Sequence, residues 1–155
     1  MVASPILLRR IGIKFARSIL NRHLNPEQRL WRAVVINAFD ETLISQSDRK
    51  ASLIKINAHN WLLSKSDDFR VVCEYALLDH DDMKECYEEA LSKQSVFFTK
   101  RQVAWKEYDK FYRAMLSEEN KIVRKIKRKE VDQFRKKVQE LPDTIISTIF
   151  VSAFV

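Results

Sequence analysis

The chain has 155 residues, a formal net charge of +7, 32% charged and 46% apolar residues, and a single glycine, Gly12. That length buries a core without disulfide staples. One glycine leaves little material for tight hairpins, β-bulges or phosphate-cradling loops, so it excludes the nucleotide-binding enzyme folds and points to helices joined by polar turns.

Residues 1–26 carry Arg9, Arg10, Lys14, Arg17 and Arg22 and no acid. They read as a basic first helix from Pro5 to about Asn21. A targeting peptide would be richer in serine or would place a small-residue cleavage site after a long apolar core. Asn25-Pro26-Glu27-Gln28 is the first clear helix start: Asn25 caps, Pro26 takes the first helical position and Gln28 closes a capping box. The helix that follows carries Leu30, Val34 and Ala38 on one face, with Trp31, Val35 and Phe39 beside it, and is expected to end near Leu43–Ser45. After a turn at Ser45–Asp48, a helix from about Arg49 to Leu63 turns Leu53, Ile54, Ala58, Trp61 and Leu62 inward. Ser66 or Asp67 caps a short helix through Phe69, Val72, Cys73 and Ala76. Asp81 or Asp82 opens another with Met83, Cys86, Tyr87 and Ala90, where carboxylates suit the positive end of the helix dipole.

Nothing breaks a helix from about Ser95 to Glu140, which reads as one helix or as two joined near Ser117–Asn120, with Ser117 capping the second. Val96, Trp105, Tyr108, Tyr112, Met115 and Leu116 give an apolar stripe that Ile122, Ile126, Val131, Phe134, Val138 and Leu141 continue. The last four are spaced as a short heptad repeat, the stripe through which a homo-oligomer would form if the chain is a protein-interaction module. Pro142 ends the helix. The uncharged, β-branched tail from Thr144 to Val155 is expected to pack back on the helices rather than stay exposed. The reading is therefore all-α: residues 1–141 a single helical bundle with a long basic C-terminal helix, residues 142–155 an apolar tail. The longest apolar-rich stretch is too short to span a bilayer. The two cysteines, Cys73 and Cys86, read as buried free thiols in a reducing cytoplasm.

Charge is segregated. Residues 67–89 hold nine acids against Arg70 and Lys84, a local −7, which leaves +14 for the rest of a chain whose total is +7. The basic excess peaks over residues 121–137, with nine lysines and arginines against Glu130 and Asp132. Either the acidic part docks on the basic part, or each pole meets its own partner.

The P-loop, dinucleotide, nucleophile-elbow and H-E-x-x-H motifs are all missing, so no enzyme, cofactor or metal is expected. The cluster Asp79, His80, Asp81, Asp82, Glu85 and Cys86 mixes hard and soft ligands without zinc spacing or a calcium-loop glycine, and reads as an acidic turn with helix caps. A nucleophilic Cys73–His59 pair has nothing to support it. Asp68–Leu78 and Asp82–Leu91 have helix-turn-helix lengths, but the second helix exposes carboxylates that phosphates would repel. The better nucleic-acid element is the basic helix, where Lys121, Lys125 and Arg128 recur at spacings of four and three, with Arg124, Lys127 and Lys129 beside them. These six are the expected DNA or RNA phosphate contacts.

The runs Leu30-Trp31-Arg32-Ala33-Val34-Val35, Trp61-Leu62-Leu63-Ser64 and Asp68–Asp79 resemble small helical proteins carried by bacterial phages, prophages and gene-transfer agents, over about residues 25–92. The resemblance implies a regulatory or DNA-associated role. Leu77 stands where that group has glycine and His80 where it has proline, so a different turn is expected there. The expectation is a non-enzymatic nucleic-acid-binding or regulatory protein, with the 67–89 region facing a protein partner or shielding the basic helix. The alternatives are a protein-interaction module or a peripheral membrane protein using its basic N-terminal helix and apolar tail.

Overall fold

The structure, a computed structural model, describes residues 4–20, 23–64 and 66–146. The described residues form an all-α fold: eight helices and one two-stranded antiparallel sheet. None of these helices is long and apolar enough to cross a membrane. Contacts group the chain into two compact units, the first drawn from residues 4–45 and 54–97, the second from 46–53 and 98–146.

The first unit begins with α1 (Pro5–Ile11), where the Leu7 N–H donates to the Ser4 hydroxyl at 3.2 Å. α2 (Ile13–Leu20) follows after Gly12, at φ 107°. The expected single basic helix is thus two, broken at the one residue that takes a positive φ without steric cost. α3 (Pro26–Glu41) starts with the expected capping box: Asn25 Oδ1 accepts from the Gln28 N–H at 2.8 Å, and Gln28 Oε1 from the Asn25 N–H at 3.0 Å. Its buried face differs from the expected one. Val35, Ile36, Ala38 and Phe39 are inside together with Arg32, while Leu30 and Val34 are exposed. Arg32 is 4% exposed and donates to the carbonyls of Ala76, Leu77 and Ile19. It closes the C-terminal end of α5 (Asp67–Tyr75), against which α3 packs.

α4 (Arg49–Leu63) has the expected bounds, but of the residues expected inward only Ala58 and Leu62 are buried: Leu53, Ile54 and Trp61 are half-buried, and Ile56 and His59 lie inside instead. Its first five residues belong to the second unit and the remainder to the first. α6 (His80–Ser92) is capped by Asp79, whose Oδ1 accepts from the Asp82 N–H at 2.9 Å, rather than by Asp81 or Asp82. Between α5 and α6, Leu77 holds φ 53° while the Leu78 N–H donates to the Cys73 carbonyl at 2.9 Å. This is the turn a glycine would make, adopted by a leucine. Gln94, at φ 56°, ends α6 the same way, with the Ser95 N–H on the Ala90 carbonyl.

In the second unit, β1 (Phe98–Thr99) leads into α7 (Lys100–Ser117) through a capping box that the sequence reading passed over: Thr99 Oγ1 accepts from the Gln102 N–H, and Gln102 Oε1 from the Thr99 N–H. The 95–140 stretch is therefore two helices preceded by an extended segment. α8 (Lys121–Glu140) is capped by Asn120, not Ser117, with Oδ1 accepting from the Ile122 and Val123 N–H groups at 2.9 and 3.3 Å. α7 and α8 form a hairpin around Trp105, Tyr108, Met115, Val131 and Val138, with Tyr112 and Phe134 at its edge. The heptad-spaced Val131, Phe134 and Val138 are thus occupied by α7 of the same chain. Of the apolar tail, β2 (Ile145–Ile146) pairs antiparallel with β1, Phe98 opposite Ile146. Residues 147–155 lie outside the described residues.

Candidate polyanion-binding face on the last helix

Helix α8 forms because residues 121–140 contain no glycine or proline and are rich in lysine, arginine and glutamine. It stays attached because Val131 and Val138, one heptad apart, are buried on α7. Those two are its only buried residues, and they lie in its second half. From Lys121 to Glu130 every side chain is exposed or half-buried.

At 100° per residue, Lys121, Lys125, Arg128 and Lys129 fall within an arc of about 100°, on a stretch about 12 Å long. That arc is turned away from the side that carries Val131 and Val138. All four are exposed, and among the described residues none has an acid within ion-pair distance. Ile122 and Ile126 run along one border of the arc and are 74% and 55% exposed. The sequence reading assigned them to the core stripe. They share a helix face with each other but not with Val131.

The other two expected phosphate contacts are placed differently. Arg124 donates through Nε to the Glu118 carbonyl at 2.8 Å, and through Nη2 to the same oxygen. Lys127 Nζ meets Glu118 Oε2 at 2.8 Å. The Lys127 hydrogen bond, with help from the Asn120 N–H, holds the Glu118 carboxyl below the usual glutamate range. Arg124 and Lys127 therefore fasten the start of α8 to the end of α7, and only four of the six expected residues form one open face. Beside that face, Phe111, Ala114, Val131 and Phe134 line a groove of about 490 Å³ between α7 and α8, with Lys127, Glu130, Gln133 and Lys137 at its edges.

In the first unit, Arg9, Arg10 and Arg17 on α1 and α2 are exposed cations as well. Its acidic segment is served by local cations: Lys14 reaches Glu85 at 2.8 Å and Asp82 at 3.7 Å, Arg70 reaches Glu74 at 2.9 Å, and Lys93 reaches Glu89 at 2.5 Å. The nucleophile candidates are core groups. Burial pushes the Cys73 thiol up to about 12, so it is protonated at neutral pH. His59 is fully buried, with Nδ1 2.6 Å from the Tyr87 hydroxyl. Among the described residues, no group of three or more His, Cys, Asp or Glu is placed to hold a metal ion.

Comparison with protein-family models, with curated proteins and with solved structures found no match.

Proposed function

We propose that this chain is a non-enzymatic nucleic-acid-binding protein that contacts backbone phosphates with the first half of α8. The observation behind this reading is the open arc of Lys121, Lys125, Arg128 and Lys129, four exposed cations without acid partners on one rigid helix. A helix spaces its charges without loop entropy. Four cations over about 12 Å, about one per 3 Å, match the phosphate spacing along one strand of a duplex, about 3.4 Å. Arg124 and Lys127 take a supporting role, since their bonds to Glu118 fix where α8 begins.

Four phosphate contacts give a slope of log affinity against log salt of about −3.6, so affinity falls about 10²-fold from 50 to 200 mM salt. Titration of labelled duplex DNA and of RNA across a salt series measures that slope. Replacing the four residues with glutamine is expected to bring it close to zero. Absence of binding at low salt, or an unchanged slope in the variant, rejects the reading.

The exposure of Ile122 and Ile126 favours a second reading, in which the same face lies on an anionic lipid surface with the isoleucines in the headgroup boundary. The two separate on Ile122→Ser/Ile126→Ser. Nucleic-acid affinity is then unchanged, whereas binding to phosphatidylserine-containing vesicles is lost.

A further inference from the structure

The second unit contains a further pocket, of about 450 Å³, walled by Ser47, Arg49, Arg101, Trp105, Arg135 and Gln139 around the N-terminal end of α4. Three guanidinium groups from three helices, and therefore three like charges, line one concavity. The single acid in the wall, Asp48, is engaged as a helix cap, its Oδ2 accepting from the Ala51 N–H at 3.2 Å.

Arg101 and Arg135 are held in place by neutral partners, and Arg49 by two rings and a carboxylate that it shares. Arg101 donates through Nε and Nη2 to the Leu141 carbonyl at 3.2 and 2.6 Å, and through Nη1 to Ser47 Oγ at 3.4 Å. Arg135 donates through Nε and Nη2 to the Tyr108 hydroxyl at 3.0 and 2.7 Å, while its Nη1 is 3.8 Å from Asp132, beyond hydrogen-bond reach. Arg49 lies over the rings of Tyr112 and Tyr108, at 4.4 and 5.0 Å, and reaches Asp109 through Nη2 at 3.3 Å. Asp109 is shared with Arg113, at 2.7 Å, and Asp143 outside the wall accepts from Ser47 Oγ at 3.0 Å. Arg49 Nε is enclosed and has no acceptor at all. A buried charged donor without an acceptor is an unfavourable arrangement, which an anion beside the guanidinium would offset electrostatically.

We propose that this pocket binds an oxyanion of the phosphate class. Three arginines lining one concavity from different helices suit a dianion better than a singly charged carboxylate, which one guanidinium satisfies. The start of α4 adds the positive end of its dipole. Stacking on Tyr108 and Tyr112 and the bonds to Leu141 and Tyr108 fix the forks in advance, so little side-chain entropy is lost on binding. The phosphate is either free in solution or the terminal phosphate of a nucleic-acid strand. The pocket does not depend on the α8 arc, because Arg135 and Gln139 lie a turn or more beyond Lys129.

The test is titration of the full chain with inorganic phosphate, against chloride at equal ionic strength, following the Arg49 Nε–H resonance and the heat of binding. Saturable binding that moves this resonance is expected with phosphate and not with chloride. Arg49→Met risks the fold, so the decisive variant is Gln139→Glu. It adds a carboxylate to the exposed wall without removing any of the bonds above, and is expected to weaken phosphate binding about tenfold or more. Gln139→Ala is expected to leave it unchanged. A 5′-phosphorylated oligonucleotide that binds more tightly than its 5′-hydroxyl counterpart, with the preference lost in Gln139→Glu, identifies a strand terminus as the source. Equal binding of the two, with inorganic phosphate still bound, identifies free phosphate. No saturable response to phosphate, or an equal response in Gln139→Glu, overturns the proposal. The glutamine variant of the α8 arc is expected to keep phosphate binding, which separates this pocket's failure from that of the duplex-binding face.

Discussion

Helices α6 and α8 are both highly charged, yet they use their charge differently. α6 has 13 residues and buries Met83, Cys86, Tyr87, Ala90 and Leu91, while its acids line the opposite, solvated side. α8 has 20 residues and buries only Val131 and Val138. In α6, then, the apolar residues account for the fold and the carboxylates for solubility. In α8 the apolar residues do not all serve the fold, because Ile122 and Ile126 stand in solvent among lysines. A charged helix with a full apolar stripe is a core element. A charged helix that is anchored at one end and exposes isoleucines at the other has a surface that the described residues of its own chain leave uncovered.

Unfolding experiments sharpen this contrast. Tyr87→Ala, on α6, removes a fully buried ring in contact with His59 and Phe39 and is expected to destabilise by about 4 kcal/mol in denaturant titration. Val138→Ala, at the anchor of α8, loses two buried methyl groups and leaves a small cavity, for about 2 kcal/mol. Leu77→Gly, in the turn before α6, is expected to raise stability by up to about 1 kcal/mol, because relief of the left-handed strain exceeds the added unfolded-state entropy. Ile122→Ser and Ile126→Ser are expected to change stability by less than about 0.5 kcal/mol each. A loss above 1 kcal/mol at either isoleucine would mean that the face is covered, and the contrast with α6 would fail.

Much of the fold was legible because local signals coincided. Asn25, Pro26 and Gln28 are a cap, a first-turn proline and a box partner in register, and α3 starts there. Elsewhere the signal was present but outweighed. Thr99 and Gln102 form an equally good box, yet they sit inside a run without helix breakers, so the start of α7 was placed too early. The break at Gly12 rests on one residue whose backbone freedom is permissive and forces nothing. Periodicity told which residues of α8 share a face but not whether another element covers that face, so Ile122 and Ile126 were grouped with Val131. Arg32 was invisible as a core residue because arginine is almost never fully buried unless paired, and its partners, the Ala76 and Leu77 carbonyls, lie more than forty residues away. The cationic arc could be read from the sequence because its members are neighbours on one helix. The three-arginine pocket could not, since Arg49, Arg101 and Arg135 are brought together only by tertiary structure.

The α7–α8 hairpin is closed by residues 118–120 alone, whereas β1 and β2 meet across the whole hairpin, Thr99 opposite Ile145. Contacts close in sequence form early in folding, and distant ones wait until the intervening chain is ordered. The hairpin is therefore the early-forming part of its unit and the sheet a late clasp. The cationic arc of α8 thus takes shape with the hairpin, before the clasp that closes its unit.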